Sequence, residues 1–178
     1  MCDTATRLRQ VRLEDAAELA KILAASADHL RPWQPARDAR YFTEPGQLVT
    51  IRGPLDAAEA GRSMPFVIVD AEERIVGQIM LNGVTLGAFR SCAISYWVGV
   101  GHLGHGHATR AVGLALSYAF DELGLHRVQA ETLPDNVASQ KVPRSARFSL
   151  FGSAPGYLRI NDAWRDHVLF QRLNEEQA

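Results

Sequence analysis

The sequence predicts a mixed α/β fold in which helices pack on a central, largely antiparallel sheet. Three short runs rich in β-branched and aromatic residues follow one another at 64–69, 74–81 and 92–100. After a glycine-rich loop, residues 109–123 place apolar side chains at helical spacing. The 178 residues, 47% of them hydrophobic, suit one core better than two. We therefore expect a single domain over 1–178, with its core at about 7–173.

The remaining elements follow from local patterns of the same kind. Asp70–Glu73 has the composition of a hairpin turn between two strands. The segment 28–47 holds three prolines and is predicted as a loop, and Gly53-Pro54 should kink or divide the helix after it. The other expected elements are strands at 7–12, 126–131, 157–160 and 167–172, and helices at 14–27, 47–60 and 136–148.

Charge and composition argue against several classes of function. Nineteen basic and twenty acidic residues give a net charge of −1, which provides no basic stripe for nucleic acid. The two cysteines, Cys2 and Cys92, form no disulfide framework. No signal peptide is recognisable, and no apolar run approaches the roughly 18 residues of a membrane span. We expect a soluble, cytoplasmic protein that binds neither nucleic acid nor membrane.

A glycine-rich loop, GVGHLGHGHA at 99–108, joins a strand to a helix. Gly99, Gly101 and Gly104 spell the dinucleotide-binding pattern G-x-G-x-x-G. That motif belongs at the first strand of its fold, with an acid about 20 residues on. Here three strands precede the loop, and Glu131 lies 27 residues beyond Gly104. The pattern therefore disfavours a dinucleotide fold, and an ordinary glycine-rich turn remains an alternative.

Four segments together carry a family resemblance. Residues 103–108 have the spacing of the pyrophosphate loop Q/R-x-x-G-x-G/A, and Ala93–Val98, Asp135–Val142 and Tyr157–Val168 match flanking motifs. With LRPW at Leu30–Trp33, they resemble the GNAT superfamily in its RimJ/RimL-like branch, the N-terminal acetyltransferases of ribosomal proteins. The resemblance implies a sheet splayed at the cofactor site, helices on both faces, and acetyl-CoA as co-substrate.

The resemblance also assigns roles to individual residues. Backbone groups of Val98, Gly99 and Val100 would hold pantetheine, and one of their N–H groups would polarise the acetyl carbonyl. Asn136 would bind near the thioester, and Ser139 would protonate the thiolate. Helix capping is the alternative for both residues. The phosphate cradle would be formed by His105, Gly106, His107, Ala108 and Thr109, and the acceptor pocket by Trp33, Asn82, Tyr96 and Tyr157 with the 29–41 loop.

Several positions depart from the family pattern. Leu103 replaces the usual Gln or Arg, and Ala93 stands where many relatives have a glutamate. No general base is therefore obvious. Glu131 and a water chain are the candidates, and the alternative for Glu131 is a solvated residue at a strand end with no catalytic role. His102, His105 and His107 lie close in sequence but lack a fourth ligand or a helical H-x-x-x-H, so no metal is expected.

Pro143 is expected inside the helix at 136–148. A proline there has no N–H for the carbonyl of Ser139, four residues earlier. Our hypothesis is that the helix bends, aims Ser139 at the thioester and leaves this carbonyl to cofactor or water. The alternative is a helix that ends early, with Pro143 in a turn.

The expected activity is direct transfer of acetyl, in a ternary complex, to a primary amine. The N-terminal amine of a protein or peptide is the preferred acceptor. A small amine such as an antibiotic or polyamine is the alternative, and a non-catalytic acyl-CoA-binding module is a further one. A monomer or a homodimer is expected.

Overall fold

Seven strands in the part of the chain that the structure describes, residues 5–175, form one twisted sheet. The structure is a computed structural model, and Cys2 lies outside the described residues. The strands stand in the order β1-β2-β3-β4-β5-β7-β6. Every neighbouring pair is antiparallel except β4 and β5. The strands are β1 Arg7–Gln10, β2 Ser63–Val69, β3 Ile75–Thr85, β4 Ser91–Val98, β5 Arg127–Thr132, β6 Ser149–Ile160 and β7 Ala163–Leu173.

Helices cover both faces of this sheet, as predicted. On one face, α1 (Ala16–Leu30) and α2 (Glu44–Glu59) enclose a core that includes Leu19 and Ile51. On the other, α3 (His107–Ser117) packs Ala111, Val112 and their neighbours against the sheet, and α4 (Val137–Ser145) lies beside it. No helix among residues 5–175 is long and apolar enough to span a membrane. The mixed α/β prediction is therefore confirmed.

The two parallel strands separate soon after they pair. Their register contains only three pairs, the last being Ala93 with Gln129. Beyond it β4 runs on to Val98 and β5 to Thr132 without pairing to each other. The sheet is thus splayed at its centre, between the strand that precedes the glycine loop and the strand that precedes α4.

Several predicted boundaries were wrong. Pro54 lies inside α2, which is not divided there and begins at Glu44 rather than at residue 47. The helix after the glycine loop starts at His107 and closes in a π-helical turn, in which the Leu123 amide bonds to the Tyr118 carbonyl at 3.2 Å. The fourth helix ends at Ser145 because Arg147 adopts a left-handed conformation, with φ of 60°. The closing strands are longer than predicted, since β6 is an exposed edge strand with little apolar alternation.

Pro143 lies inside α4, so the alternative of an early helix end is wrong. The Ser139 carbonyl does lack its helical donor, yet it is not left to cofactor or water. It accepts a hydrogen bond of 3.2 Å from the Tyr96 hydroxyl of β4. The donor thus comes from the neighbouring strand, which the sequence pattern of the helix could not reveal.

Candidate active site

The gap between β4 and β5 opens into a cleft of about 620 Å³. The cleft is lined by seven of the residues that the resemblance assigns to cofactor or acceptor, namely Trp33, Tyr96, Val98, Ala108, Asn136, Ser139 and Tyr157, and also by Leu103 and Glu131. Seven others do not line it: Asn82, Gly99, Val100, His105, Gly106, His107 and Thr109. The lining includes residues from both faces of the sheet, which makes the cleft a passage between the strands.

Side-chain alternation shows which groups reach each face. In β4, Ile94 and Val98 belong to the core under α3, whereas Trp97 packs with the core under α1 and α2. In β5, Ala130 belongs to the α3 core, so Glu131 points to the opposite face. Ser139 on α4 and Glu131 on β5 therefore line the same cleft from opposite faces of the sheet.

The backbone at the end of β4 is partly engaged within the protein. The Gly99 amide donates to the Val76 carbonyl at 2.8 Å, and the Val100 amide donates to Ser26 Oγ at 3.0 Å. Because hydrogen bonding alternates along an antiparallel strand, the backbone groups of Val98 point away from β3, towards the gap. Of the three predicted backbone contacts, Val98 is the one whose groups face the cleft.

The loop before α3 adopts the geometry of an anion site. Gly104 and Gly106 have φ of 80° and 76°, a conformation that side chains disfavour. Gly106 is the N-cap of α3 and provides no side-chain cap, so the first-turn amides have no helical partner. Arg110 lies over the loop, with its guanidinium bonded to the His105 carbonyl and, through Nε, to Thr6 Oγ1 at 2.9 Å. Helix dipole and guanidinium together favour a bound anion here.

The three histidines of the loop do not form a metal centre. The His107 ring lies 6.1 Å and 6.4 Å, between centroids, from those of His105 and His102. His107 is buried, and its Nδ1 is 3.0 Å from Thr6 Oγ1. Across residues 5–175, no group of three or more potential ligands is placed to hold a metal ion. Burial, followed by the charge of Arg110, lowers the pKa of His107, so a charged imidazole at this position is disfavoured.

Asn136 and Ser139 begin helix α4 and line the cleft. Asn136 is the N-cap, and its Oδ1 accepts a hydrogen bond from the Ser139 amide at 3.0 Å. The capping alternative thus holds for Asn136, while the Ser139 hydroxyl takes no part in the cap. Tyr96 Oη lies 3.5 Å from Ser139 Oγ, which places this predicted acceptor residue on the α4 face. Burial raises the pKa of Tyr96 and keeps its hydroxyl protonated.

Glu131 is a half-buried carboxylate that lines the cleft, rather than a fully solvated residue at the strand end. Burial raises the pKa of the Glu131 carboxyl. Burial also raises the pKa of Tyr157, which is hydrogen-bonded to Glu131. The Tyr157 ring lies 5.3 Å from that of His167, a buried residue that also lines the cleft. His167 was missed because only the β6–β7 pairing brings it beside Tyr157.

The two other predicted acceptor residues lie in different surroundings. Asn82 is bonded through Nδ2 to Ser95 Oγ at 2.9 Å, outside the cleft. Trp33 ends a short 3-10 turn (Arg31–Trp33) and lines the cleft together with Tyr41. The Arg37 guanidinium stacks on the Tyr41 ring at 4.5 Å from its centroid. The 29–41 loop therefore forms an aromatic wall at the end of the cleft away from α3.

Comparison with known proteins agrees with this geometry. The family model of the acetyltransferase (GNAT) domain matches residues 6–149. The probable N-acetyltransferase YjcK of Bacillus subtilis is 31% identical, over 95% of this chain and 94% of its own length. The alanine N-acetyltransferase of ribosomal protein uS5 from Escherichia coli is 30% identical, over 91% of this chain and 84% of that protein.

Solved structures show the same likeness. Mycobacterium smegmatis RimJ, in complex with CoA-disulfide, superposes with a TM-score of 0.92 and 36% identity, over 96% of this chain and 83% of its own. The ribosomal-protein-S5-alanine acetyltransferase of Vibrio fischeri superposes with a TM-score of 0.89 and 29% identity, over 97% and 95%. The chain therefore belongs to the GNAT family of acetyltransferases, as its four motifs predicted.

Proposed function

We propose that this protein transfers the acetyl group of acetyl-CoA to the N-terminal α-amine of a protein, in a single step within a ternary complex. The observation that carries the proposal is the cleft through the sheet, with Glu131 on one face and Ser139 on the other. Such a passage lets a cofactor and an acceptor approach one reaction centre from opposite sides. The names of the relatives, several of them ribosomal-protein acetyltransferases, support a protein acceptor.

The cofactor fits the α3 side of the passage. The uncapped amides of His107, Ala108 and Thr109 are placed to bind a pyrophosphate, with the loop of His105 and Gly106 bent around it. Backbone groups of Val98 face the gap and are placed to pair with an extended amide chain such as pantetheine. The thioester supplies an activated acetyl group when it is bound there.

Glu131 accounts for the proton on the acceptor side. An amine must be neutral to attack a carbonyl, so one proton has to leave nitrogen. Burial raises the pKa of Glu131 towards the range in which a carboxylate accepts protons efficiently. Tyr157 donates to the Glu131 carboxylate and orients it, while Trp33 and Tyr41 enclose the chain that follows the amine.

Ser139 accounts for the proton on the cofactor side. As the new C–N bond forms, the C–S bond breaks and its electron pair leaves on sulfur. The Ser139 hydroxyl donates its proton to that sulfur. Nitrogen loses one proton to Glu131 before it attacks and a second as the amide forms, and this second proton passes through water in the cleft back to Ser139. Glu131 then releases its proton to solvent, so the products are the amide, the free thiol and one proton.

Peptide acetylation tests the function directly. The protein is incubated with acetyl-CoA and a panel of peptides with different N-terminal residues, and released thiol is followed with a disulfide reporter. We expect turnover with free N-termini and none with N-terminally blocked peptides that contain lysine. Faster acetylation of spermidine or an aminoglycoside than of every peptide would contradict a protein acceptor.

Gly106→Val tests the phosphate cradle. A side chain at φ of 76° is strained, and its Cβ would lie 2.9 Å from the Arg110 Nη1 atom. We expect loss of acetyl-CoA binding by calorimetry, with the thermal midpoint largely retained because the loop is exposed. Gly101→Val is the matched control, since no atom lies within 4 Å of its new Cβ. If Gly106→Val binds acetyl-CoA with unchanged affinity, this loop is not the pyrophosphate site.

Ser139→Ala tests the proton donor. The helix cap survives this change because it uses the Ser139 amide. We expect kcat to fall roughly 10²-fold with little change in the KM for acetyl-CoA. Ser145→Ala, at the other end of α4 and outside the cleft, is the control. If kcat stays within about a factor of two, Ser139 is no proton donor.

Glu131→Gln tests the base through pH dependence. A base works when deprotonated, so kcat/KM should decline as pH falls through the raised pKa of Glu131. This acid limb should lie above the ordinary glutamate pKa of 4.5. We expect Glu131→Gln to remove the limb and lower kcat/KM roughly 10²-fold, whereas Glu122→Gln, on the exposed end of the third helix, changes neither. An acid limb that persists in Glu131→Gln excludes this role.

A further inference from the structure

Ser139 has an unusual backbone environment for a helical residue. Its carbonyl would normally accept the amide of residue 143, but Pro143 has no N–H and lies inside α4. Its amide, in the first turn, bonds to the Asn136 side chain at 3.0 Å. Both backbone groups of Ser139 are therefore satisfied by side chains.

The side chain that takes the carbonyl comes from another element. Tyr96 lies on β4, and its hydroxyl donates to the Ser139 carbonyl at 3.2 Å. This hydroxyl is also 3.5 Å from Ser139 Oγ, and no other partner shares it in the described residues. The contact joins α4 to the part of β4 that lies beyond its pairing with β5, on the face of the cleft proposed for the cofactor.

We propose that Tyr96 is a positioning residue that holds Ser139 towards the thioester through the carbonyl that Pro143 leaves free; the proposal rests on the proposed function of Ser139. Tyr96 keeps its own proton throughout transfer, because that proton bonds to a carbonyl oxygen. The proton delivered to sulfur comes from Ser139 Oγ, which water in the cleft reprotonates. Tyr96 therefore acts on the reaction only through Ser139.

A double-mutant cycle distinguishes positioning from direct proton donation. Tyr96→Phe, Ser139→Ala and the double variant are assayed on the best peptide and, without acceptor, on acetyl-CoA hydrolysis. We expect Tyr96→Phe to lower kcat roughly 10-fold or more, as for a misplaced catalytic group, with KM for acetyl-CoA nearly unchanged. The double variant should be no slower than Ser139→Ala, because the two residues act as one unit.

Tyr118→Phe is the matched control. Tyr118 packs on the same core under α3, but its hydroxyl contacts Met64 Sδ rather than Ser139. We expect this variant to keep the kcat of the wild type. Equal losses in the two Phe variants, or a Tyr96→Phe loss that persists in full on the Ser139→Ala background, would overturn the proposal.

A spectroscopic measurement tests the contact without any activity. Ser139–Gln140 is the only Ser-Gln pair in the chain, so ¹³C-carbonyl serine with ¹⁵N-glutamine labelling yields one assigned signal. We expect that carbonyl signal to shift in Tyr96→Phe and to stay in place in Tyr118→Phe. An unmoved signal in Tyr96→Phe overturns the proposal even if peptides are acetylated. If the signal shifts but no peptide is acetylated, the proposed acceptor is wrong, while the contact between Tyr96 and Ser139 is still supported.

Discussion

The early separation of β4 from β5 is the constraint on which the site depends. Three parallel pairs hold the strands together, and beyond them β4 stays paired only with β3 and β5 only with β7. Unpaired strand edges inside a domain are costly, because their amide and carbonyl groups lose water without gaining a protein partner. The splay therefore leaves an edge at which an extended ligand would gain the hydrogen bonds that a neighbouring strand would otherwise make. Glu131, Tyr157, Asn136 and Ser139, to which we assign roles in the proposed reaction, line this gap.

The separation also divides the chemistry between two environments. The α3 side presents backbone donors, a helix N-terminus and the Arg110 guanidinium, all suited to negative charge. The opposite side presents Glu131, Tyr157 and aromatic side chains, which suit an amine at the end of a chain. The strands lie between Arg110 and Glu131, and it is burial, rather than that guanidinium, that shifts the pKa of Glu131.

Proline and tyrosine show how one departure from regular structure is compensated by another. A proline in a helix interior costs roughly 3 kcal/mol relative to alanine, partly through the carbonyl left without a donor. Tyr96 supplies that donor from β4. The bond ties the start of α4 to the strand that borders the gap.

The sequence by itself determined the family, the order of elements and the two glycines whose positive φ shapes the loop before α3, because these depend on short-range pattern and on backbone conformations that side chains restrict. It did not determine the surroundings of Glu131, the partner of the Ser139 carbonyl, or the place of His167 and Asn82. Those depend on which face each strand residue takes, on the register of the β6–β7 hairpin and on contacts between elements distant in the chain, such as β4 with α4. Only the tertiary structure decided them, since burial and pairing, which set the pKa of Glu131 and the bond of Tyr96, exist only once the sheet has assembled.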